Sequence, residues 1–306
     1  MSAFAQVSSH KINLDSVKKL VDLFSKFKNE GGVTIISGAG ISTDSGIPDY
    51  RGSKGAYTLT PNFKPITYQD FISSEGKQKR YWARSFFGYQ KFSLAKPNAS
   101  HLSIAELEKL SYVNHIITQN VDALHHQAGS KRITEIHGSL KTVSCIACNL
   151  SIERKGFQKN LELLNPLWSQ YLQAHRQRGS TNFQTTPDGD VQLPDNTPYS
   201  EFKVPKCKSC NGILKPDVVF FGENMSHKVR LESSDIIDKA SAVLVVGSSL
   251  ATPSAYRLVV KAVTMNRPAY ILNVGKTRAD DLATHLINQE CTPTLVSVLN
   301  ELKTKT

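Results

Sequence analysis

The sequence has few cysteines, no long apolar run and no excess of acidic residues. Its 306 residues include five cysteines, and an odd number argues against a secreted disulfide framework. The longest apolar run, 242–246, is far shorter than the roughly 18–20 residues that a membrane span needs. We find no internal repeat. We therefore expect a soluble globular protein in a reducing compartment, long enough to bury a large core.

Acidic residues are outnumbered, 26 against 37 basic ones, which gives a formal net charge of +11. The positive charges are spread along the chain rather than gathered in one stretch, which favours a generally basic surface over a nucleic-acid-binding stripe. We expect no sequence-specific nucleic-acid partner. A basic zinc-containing nucleic-acid-binding protein is the non-enzyme alternative, and it would bind in a salt-dependent way.

Short apolar runs at 33–37, 112–118, 242–247 and 269–273 are typical of buried strands. Helical patterns lie between them, beginning with an amphipathic segment at 14–28. Each run ends in a small or polar cluster. This layout predicts an α/β fold with an open parallel sheet, whose ligands bind at the carboxyl ends of the strands.

The segment 139–215 interrupts this rhythm and contains two C-x-x-C pairs, Cys145 with Cys148 and Cys207 with Cys210. Zinc prefers four thiolates in a tetrahedron, and each pair supplies two from one tight turn. A redox dithiol would need a single pair at a helix start. The spacing therefore predicts one structural zinc ion in an inserted module, with a surface loop at about 176–203.

The motif GAGISTDSGIPDYRG at 38–52 directly follows the first strand. Gly38 and Gly40 would let the backbone approach a pyrophosphate, although the dinucleotide fingerprint G-x-G-x-x-G fails at Thr43. A plain strand-to-helix turn is the alternative. The rest of the motif could fold over a cofactor with a carboxylate, a ring and a guanidinium, which belong to Asp49, Tyr50 and Arg51.

Polar residues follow the other strands as well. Asn120 and Asp122 could contact a ligand or could merely cap a helix. His137 follows the short run 133–136 and is a candidate general base, although a single histidine is more often structural. Further candidates at strand ends, each of which could equally be a plain junction, are Gln119, Gly247, Ser248, Ser249 and Asn273. Cys291 could be an ordinary buried thiol.

In their order along the chain, GAGIS, GIPDYR, TQNVD, HG, the two C-x-x-C pairs, GSSL and N-x-G resemble the sirtuin family over about residues 14–300. YWARSF, LKPDVVFFGE, ILNVGKTRADDLA and the segment 187–191 resemble the class II, sirtuin-four-like branch. The resemblance implies a Rossmann-type parallel sheet, formed by 14–139 and 216–302, with an inserted smaller zinc-binding and helical domain. The zinc module would span 140–215, and 53–97 would add helices to it.

The resemblance also implies roles for the residues at the strand ends. His137 would be the general base, and the segment 43–60 would close over the cofactor as a lid. Gln119, Asn120 and Asp122 would line the nicotinamide and ribose pocket. The remaining NAD⁺ contacts would come from Gly38, Ala39, Gly40, Ile41, Asp49, Tyr50, Arg51, Gly247, Ser248, Ser249, Asn273, Val274, Gly275 and Cys291.

The implied activity is an NAD⁺-dependent protein-lysine deacylase, which consumes NAD⁺, releases nicotinamide and transfers the acyl group to ADP-ribose. Its partners would be acyl-lysine proteins. A protein mono-ADP-ribosyltransferase is the alternative. Tyr81 and Arg84 have the Tyr-x-x-Arg spacing by which desuccinylating sirtuins read acidic acyl chains, but their context differs, and Arg84 could instead meet a phosphate or a surface carboxylate. The branch implies the mitochondrial matrix, with the cytoplasm or nucleus as the alternative, and we expect a monomer.

Overall fold

A computed structural model describes residues 12–52, 55–60, 62–177, 186 and 190–305, with the side chains of 175–177 excepted. In chain order, the strands of the described residues are β1 Val33–Ser37, β2 Val113–Thr118, β3 Ile133–Glu135, β4 Gly138–Cys145, β5 Ser151–Glu153, β6 Leu214–Val218, β7 Ala242–Val246, β8 Ala269–Leu272 and β9 His285–Ile287. The helices are α1 Leu14–Phe27, α2 Ala56–Leu59, α3 Tyr68–Ser73, α4 Glu75–Leu94, α5 Ala99–Lys109, α6 Leu124–Gln127, α7 Arg154–Leu164, α8 Pro166–Gln177, α9 His227–Lys239, α10 Pro253–Thr264 and α11 Cys291–Thr304.

The chain divides into two compact units. The first contains the described residues up to Gly52, Lys96–His137 and the chain from Met225 onward. Its parallel sheet has the strand order β3-β2-β1-β7-β8-β9. The chain thus builds one half of the sheet outward from β1, and then returns to build the other half from β7.

Strict burial explains why the central strands read as continuous apolar runs. Every residue of β1 and of β7 is buried. Because side chains alternate along a strand, Ile35 and Leu244 pack with α1, α5 and α11 on one face. Ile36 and Val245 pack with α9 and α10 on the other face. The predicted α/β fold is confirmed.

The second unit contains Ser53–Ala95 and Gly138–Asn224. Its sheet has the order β5-β4-β6, and both pairings are antiparallel. An aromatic core lies against this sheet, in which Trp82 contacts Phe157 with ring centroids 4.5 Å apart. The indole N–H of Trp82 donates to the carbonyl of Leu214 at 3.2 Å. Helix α4 is therefore fixed to the small sheet by one large side chain.

Two expectations need correction. The parallel sheet contains β9 in addition to the four predicted strands and the short run 133–136, which contains β3, because a strand of three residues leaves too short an apolar run to recognise. The predicted surface loop at 176–203 is wrong in its second half, since Val191, Leu193 and Phe202 are buried in the aromatic core. In the sequence these apolar residues are separated by polar ones, so the segment shows no apolar run that would indicate burial. Residues 178–185 and 187–189 lie outside the described residues.

In the described part of the chain, no helix combines the length and the apolar character that crossing a membrane requires.

Candidate functional site

Most of the predicted cofactor residues lie at one edge of the parallel sheet, where its strands have their carboxyl ends. The strand order reverses between β1 and β7, and open α/β sheets bind ligands beside such a reversal. The GAG turn follows β1, GSS follows β7, and Gln119 follows β2. His137 lies two residues beyond β3. Sequence segments separated by more than 200 residues thus meet at this edge.

The glycines of the two central turns are required by their close mutual contact. The N–H of Gly40 donates to the carbonyl of Gly247 at 2.9 Å. A Cβ atom on Gly40 would lie 2.9 Å from that carbonyl oxygen, and one on Gly38 would lie 2.6 Å from the Cβ of Ser248. Packing between the turns therefore explains these glycines without a ligand. The evidence for a binding site comes from the polar side chains around them.

Asn120 and Asp122 meet at Ser42, in the short 3₁₀ helix Ala39–Ser45. The Asn120 amide donates to the Gly38 carbonyl and to the Ser42 hydroxyl, both at 3.1 Å. The Ser42 hydroxyl donates to the Asp122 carboxylate at 2.7 Å. Asp122 also accepts from the N–H of Leu124 at 2.9 Å, so it acts at the start of α6 as well. Capping alone therefore accounts for neither residue.

The side chain of Gln119 forms hydrogen bonds with three different residues. Its amide donates to the Ser248 hydroxyl at 2.8 Å and to the Ser37 carbonyl at 3.2 Å. Its side-chain oxygen accepts from the Thr252 hydroxyl at 2.9 Å. Gln119 thus joins the end of β2 to the chain after β7.

His137 lies directly beside this network. Its Nδ1 is 3.1 Å from the backbone carbonyl of Gln119, and its Nε2 is 2.8 Å from the hydroxyl of Ser254. Because a carbonyl oxygen can only accept, Nδ1 carries the proton of the neutral ring. Nε2 then keeps a lone pair, which is the form that a general base requires.

Burial sets the charge state of the two titratable groups in this region. It lowers the pKa of His137 below its ordinary value of 6.5, against a smaller opposing effect of the Gln119 carbonyl. Burial raises the pKa of Asp122, while its bonds from Leu124 and Ser42 act in the opposite direction. His137 is therefore neutral at pH 7 and available to take a proton.

The turn after β8 forms its own hydrogen bonds. The Asn273 amide donates to the carbonyls of Val274 and Gly275 at 3.0 and 3.1 Å, and Val274 is 64% exposed. Cys291 begins α11, and its thiol lies 3.9 Å from the carbonyl of Leu272. Burial raises the pKa of this thiol to about 12. The Cys291 thiol is therefore protonated at neutral pH.

The segment predicted as a lid, 43–60, begins at the end of the 3₁₀ helix. The Asp49 carboxylate accepts from the N–H of Gly52 at 3.1 Å and so closes a local turn. Tyr50 is half-buried and Arg51 is exposed, and both make further contacts within the chain. Residues 53 and 54 lie outside the described residues. The role of the segment 43–60 as a lid stays a prediction.

The two C-x-x-C pairs form one cluster in the second unit, in which all four sulfur atoms lie within 4.8 Å of one another. The sulfur of Cys145 is 3.4 Å from that of Cys210, and Cys148 and Cys207 are 3.6 Å apart. Thiolates about 2.3 Å from a tetrahedral zinc ion would be roughly 3.8 Å apart, so this donor set fits Zn²⁺. Four protein ligands leave no open position, as expected of a structural ion.

Matching turns shape the two halves of the cluster. The N–H of Asn149 donates to the carbonyl of Cys145, and the N–H of Asn211 donates to that of Cys207, both at 2.9 Å. Both asparagines have a positive φ, 59° and 60°, a conformation that asparagine tolerates better than most residues. The shared geometry explains why both pairs have the same spacing.

Arg84 lies in the interior of the second unit rather than at its surface. It is 6% exposed. Its Nε donates to the Val191 carbonyl at 3.0 Å, and its guanidinium also bonds the Thr186 hydroxyl. The guanidinium lies over the ring of Phe63, 5.6 Å from its centroid. These contacts join α4 to Thr186 and Val191, and Arg84 makes further contacts within the chain. Its recognition of an acidic acyl group stays a prediction.

Sequence reasoning missed several residues of the polar network. Ser42 stood inside the GAGIS motif and could have been included. Thr252 and Ser254 follow a strand and begin a helix, a position that resembles a simple N-terminal cap. The Asn98 amide donates to the Ile41 carbonyl at 2.7 Å, while its oxygen caps α5. Nothing in the sequence reveals that second contact.

Residues 38–254 match the model of the Sir2 family. An NAD-dependent protein deacylase of Batrachochytrium dendrobatidis is 47% identical over 279 residues, covering 90% of each chain. Human sirtuin-4, a mitochondrial NAD-dependent protein lipoamidase by name, is 42% identical over 93% of this chain and 86% of its own. Its bovine counterpart, also named mitochondrial, is 43% identical over 84% of this chain and 78% of its own.

Solved structures show the same likeness. A Sir2 protein with a p53 peptide and NAD⁺ superposes with a TM-score of 0.70 at 29% identity, covering 93% of this chain and 98% of that one. A Sir2 protein bound to an acetylated peptide gives 0.69 at 28% identity, with the same coverage.

Proposed function

Because the chain belongs to the Sir2 family, we propose that it is an NAD⁺-dependent protein-lysine deacylase with one structural zinc ion. The observation that supports this most directly is the position of His137, neutral and half-buried, with Nδ1 on the Gln119 carbonyl at 3.1 Å. Its Nε2 points away from that bond, where it can accept a proton. The substrates would be proteins that carry acylated lysine.

NAD⁺, when bound, supplies a ribose whose carbon–nitrogen bond to nicotinamide can break. The turns at Gly38–Gly40 and Gly247–Ser248 would hold the pyrophosphate and adenosine half. Asn120 and Asp122 would line the nicotinamide side, fixed by their shared bonds to Ser42. Nε2 of His137 would take the proton of a ribose hydroxyl, whose oxygen then attacks the acyl carbon.

Cys145, Cys148, Cys207 and Cys210 would hold the zinc ion. Since the protein fills all four positions, the ion would stabilise the second unit and take no part in the reaction. We further propose a mitochondrial location, which the names of the human and bovine relatives support. The monomeric state stays a prediction.

The test is a panel of acetyl-, propionyl-, lipoyl- and succinyl-lysine peptides incubated with the purified protein and NAD⁺. We expect nicotinamide release that depends on at least one peptide, with an equal amount of O-acyl-ADP-ribose identified by mass spectrometry. ADP-ribose attached to an acceptor protein instead would favour the transferase alternative. No peptide-dependent nicotinamide release would contradict the proposal.

A further inference from the structure

The hydroxyl of Ser254 lies 2.8 Å from Nε2 of His137, the atom that would take the proton. Ser254 is the second residue of α10, 117 positions from His137 in the chain. In the described structure, the imidazole is therefore held at both nitrogens, by a carbonyl at Nδ1 and by a hydroxyl at Nε2. A ring fixed at both ends presents its lone pair in one direction.

The start of α10 also supports His137 through a second hydroxyl group, that of Thr252. The Thr252 hydroxyl donates to the side chain of Gln119 at 2.9 Å, and the backbone carbonyl of Gln119 receives Nδ1 of His137. Pro253 between them fixes the backbone at the first helical position. One helix start thus acts on the imidazole directly through Ser254 and indirectly through Gln119.

We propose that Ser254 is a positioning residue that orients His137, with a hydrogen bond to Nε2 before the ribose hydroxyl arrives and again once Nε2 is protonated. The inference rests on the proposed deacylase function. A hydroxyl has one donor and two acceptor positions. It donates to Nε2 while the ring is neutral, and after rotation it accepts from the Nε2–H of the imidazolium.

The proton balance of this step is simple. The ribose O–H bond breaks, the N–H bond at Nε2 forms, and the electron pair stays on the ribose oxygen. The serine hydroxyl loses no proton overall, and its rotation frees the lone pair when the ribose hydroxyl arrives. An alanine at this position would leave the ring held at Nδ1 alone and would leave the imidazolium with one fewer partner.

The two halves of the reaction separate this role from a general loss of structure. Breaking the bond to nicotinamide precedes the proton transfer and needs no base, so nicotinamide exchange into NAD⁺ reports on the first half. Formation of O-acyl-ADP-ribose reports on both halves. A positioning residue for the base affects the second measurement and leaves the first nearly unchanged.

The experiment compares wild type, Ser254→Ala, Ser254→Thr and Thr264→Ala, with the acetyl-, propionyl- and lipoyl-lysine peptides as probes. Thr264→Ala is a matched control, because this exposed hydroxyl lies on the same helix and bonds only the Val260 carbonyl among the described residues. We expect Ser254→Ala to form O-acyl-ADP-ribose about 3- to 10-fold more slowly, the value of one net hydrogen bond, with exchange within about twofold of wild type.

Ser254→Thr, which keeps the hydroxyl, should recover most of the rate, and Thr264→Ala should match wild type. Equal loss of both activities in Ser254→Ala, or no loss of either, would overturn the inference while leaving the deacylase assignment intact. A wild type that neither exchanges nicotinamide nor forms product would instead contradict the proposed function itself, and the inference with it.

Discussion

The cysteine cluster and the carboxyl edge of the parallel sheet are both built from distant parts of the chain, but they differ in what their residues do. The four thiols are a complete ligand set in which every member has the same task. At the sheet edge, the polar side chains have different tasks: Asn120 and Asp122 bond Ser42, whereas Nε2 of His137 would act on the substrate. The first site should control stability, and the second should control the reaction.

The largest effect should follow from breaking the cysteine cluster. Cys207→Ser removes a buried thiolate, and structural zinc contributes about 10–16 kcal/mol in zinc-finger peptides, as much as the whole stability of many domains. We expect loss of bound zinc and of the cooperative unfolding of the second unit. Zinc content per chain and thermal unfolding by circular dichroism measure this.

Cys291→Ser is the control for that variant, because this thiol lies in the first unit beside the Leu272 carbonyl. It should retain one zinc ion per chain. Retention of zinc and of the wild-type melting curve by Cys207→Ser would show that the cluster is no structural metal site.

The converse experiment removes the base. His137→Ala should lower the rate of O-acyl-ADP-ribose formation about 10²- to 10⁴-fold, the usual contribution of a positioned general base. The melting temperature should change much less than in Cys207→Ser, because only a half-buried imidazole and its two hydrogen bonds are lost. The exposed His227, at the start of α9, supplies the matched control His227→Ala. A rate within threefold of wild type for His137→Ala would remove His137 from the mechanism.

Low pH should destabilise the first unit through two neighbouring buried histidines, His101 and His125. The rings of His101 and His125 lie 5.0 Å apart between centroids, and burial lowers the pKa of His101 from 6.5 to about 4. Between pH 6.5 and about pH 4, His101 therefore binds a proton in the unfolded chain but not in the folded chain. Stability is complete above pH 6.5 and is lost as the pH falls toward 4, by roughly 3 kcal/mol for this residue.

Urea unfolding at pH 7 and pH 4.5 measures that loss. His101→Gln should reduce the difference between the two free energies of unfolding, although it lowers stability at pH 7. An unchanged pH dependence in His101→Gln would assign the loss to other groups, such as His125, whose pKa burial also lowers.

A smaller effect tests the corrected loop of the second unit. Leu193→Ala removes a buried side chain that is 6% exposed, so it should reduce the free energy of unfolding by about 2–3 kcal/mol. Its neighbour Gln192 is exposed, and Gln192→Ala should change the same quantity by less than about 0.5 kcal/mol. Equal effects of the two variants in urea unfolding would mean that the segment does not pack as described.

The sequence predicted the two regions unequally well. The cysteines were identified fully, because the same tight turn produces both pairs and its spacing is visible in the chain. The strands β1, β7 and β8 were also recognised, since burial on both faces makes their residues mostly apolar. β2 was recognised as well, although Asn114 and His115 interrupt its apolar run. The order of the strands in the sheet could not be predicted from the cysteine spacing or from the apolar runs. Strand pairing depends on tertiary contacts, which local sequence patterns do not contain.

At the carboxyl edge of the parallel sheet, the sequence predicted the motifs but not the contacts between them. Asn120 could be read as a cap, and only the folded chain shows that its amide bonds Gly38 and Ser42. Ser254 carried no signal, since a hydroxyl at a helix start is common. The roles of the individual cofactor residues, including Tyr50, Val274 and Gly275, stay predictions, as do the domain limits.

The spacing of the two cysteine turns has a consequence for how this protein can change during evolution. They flank 58 residues, 149–206, whose ends a bound ion would pin together. The entropy of closing such a loop rises only slowly with its length, by about 0.6 kcal/mol for each doubling. Insertions between the turns should therefore cost little stability, and a bound metal would leave this stretch free to change in length without loss of the cysteine cluster.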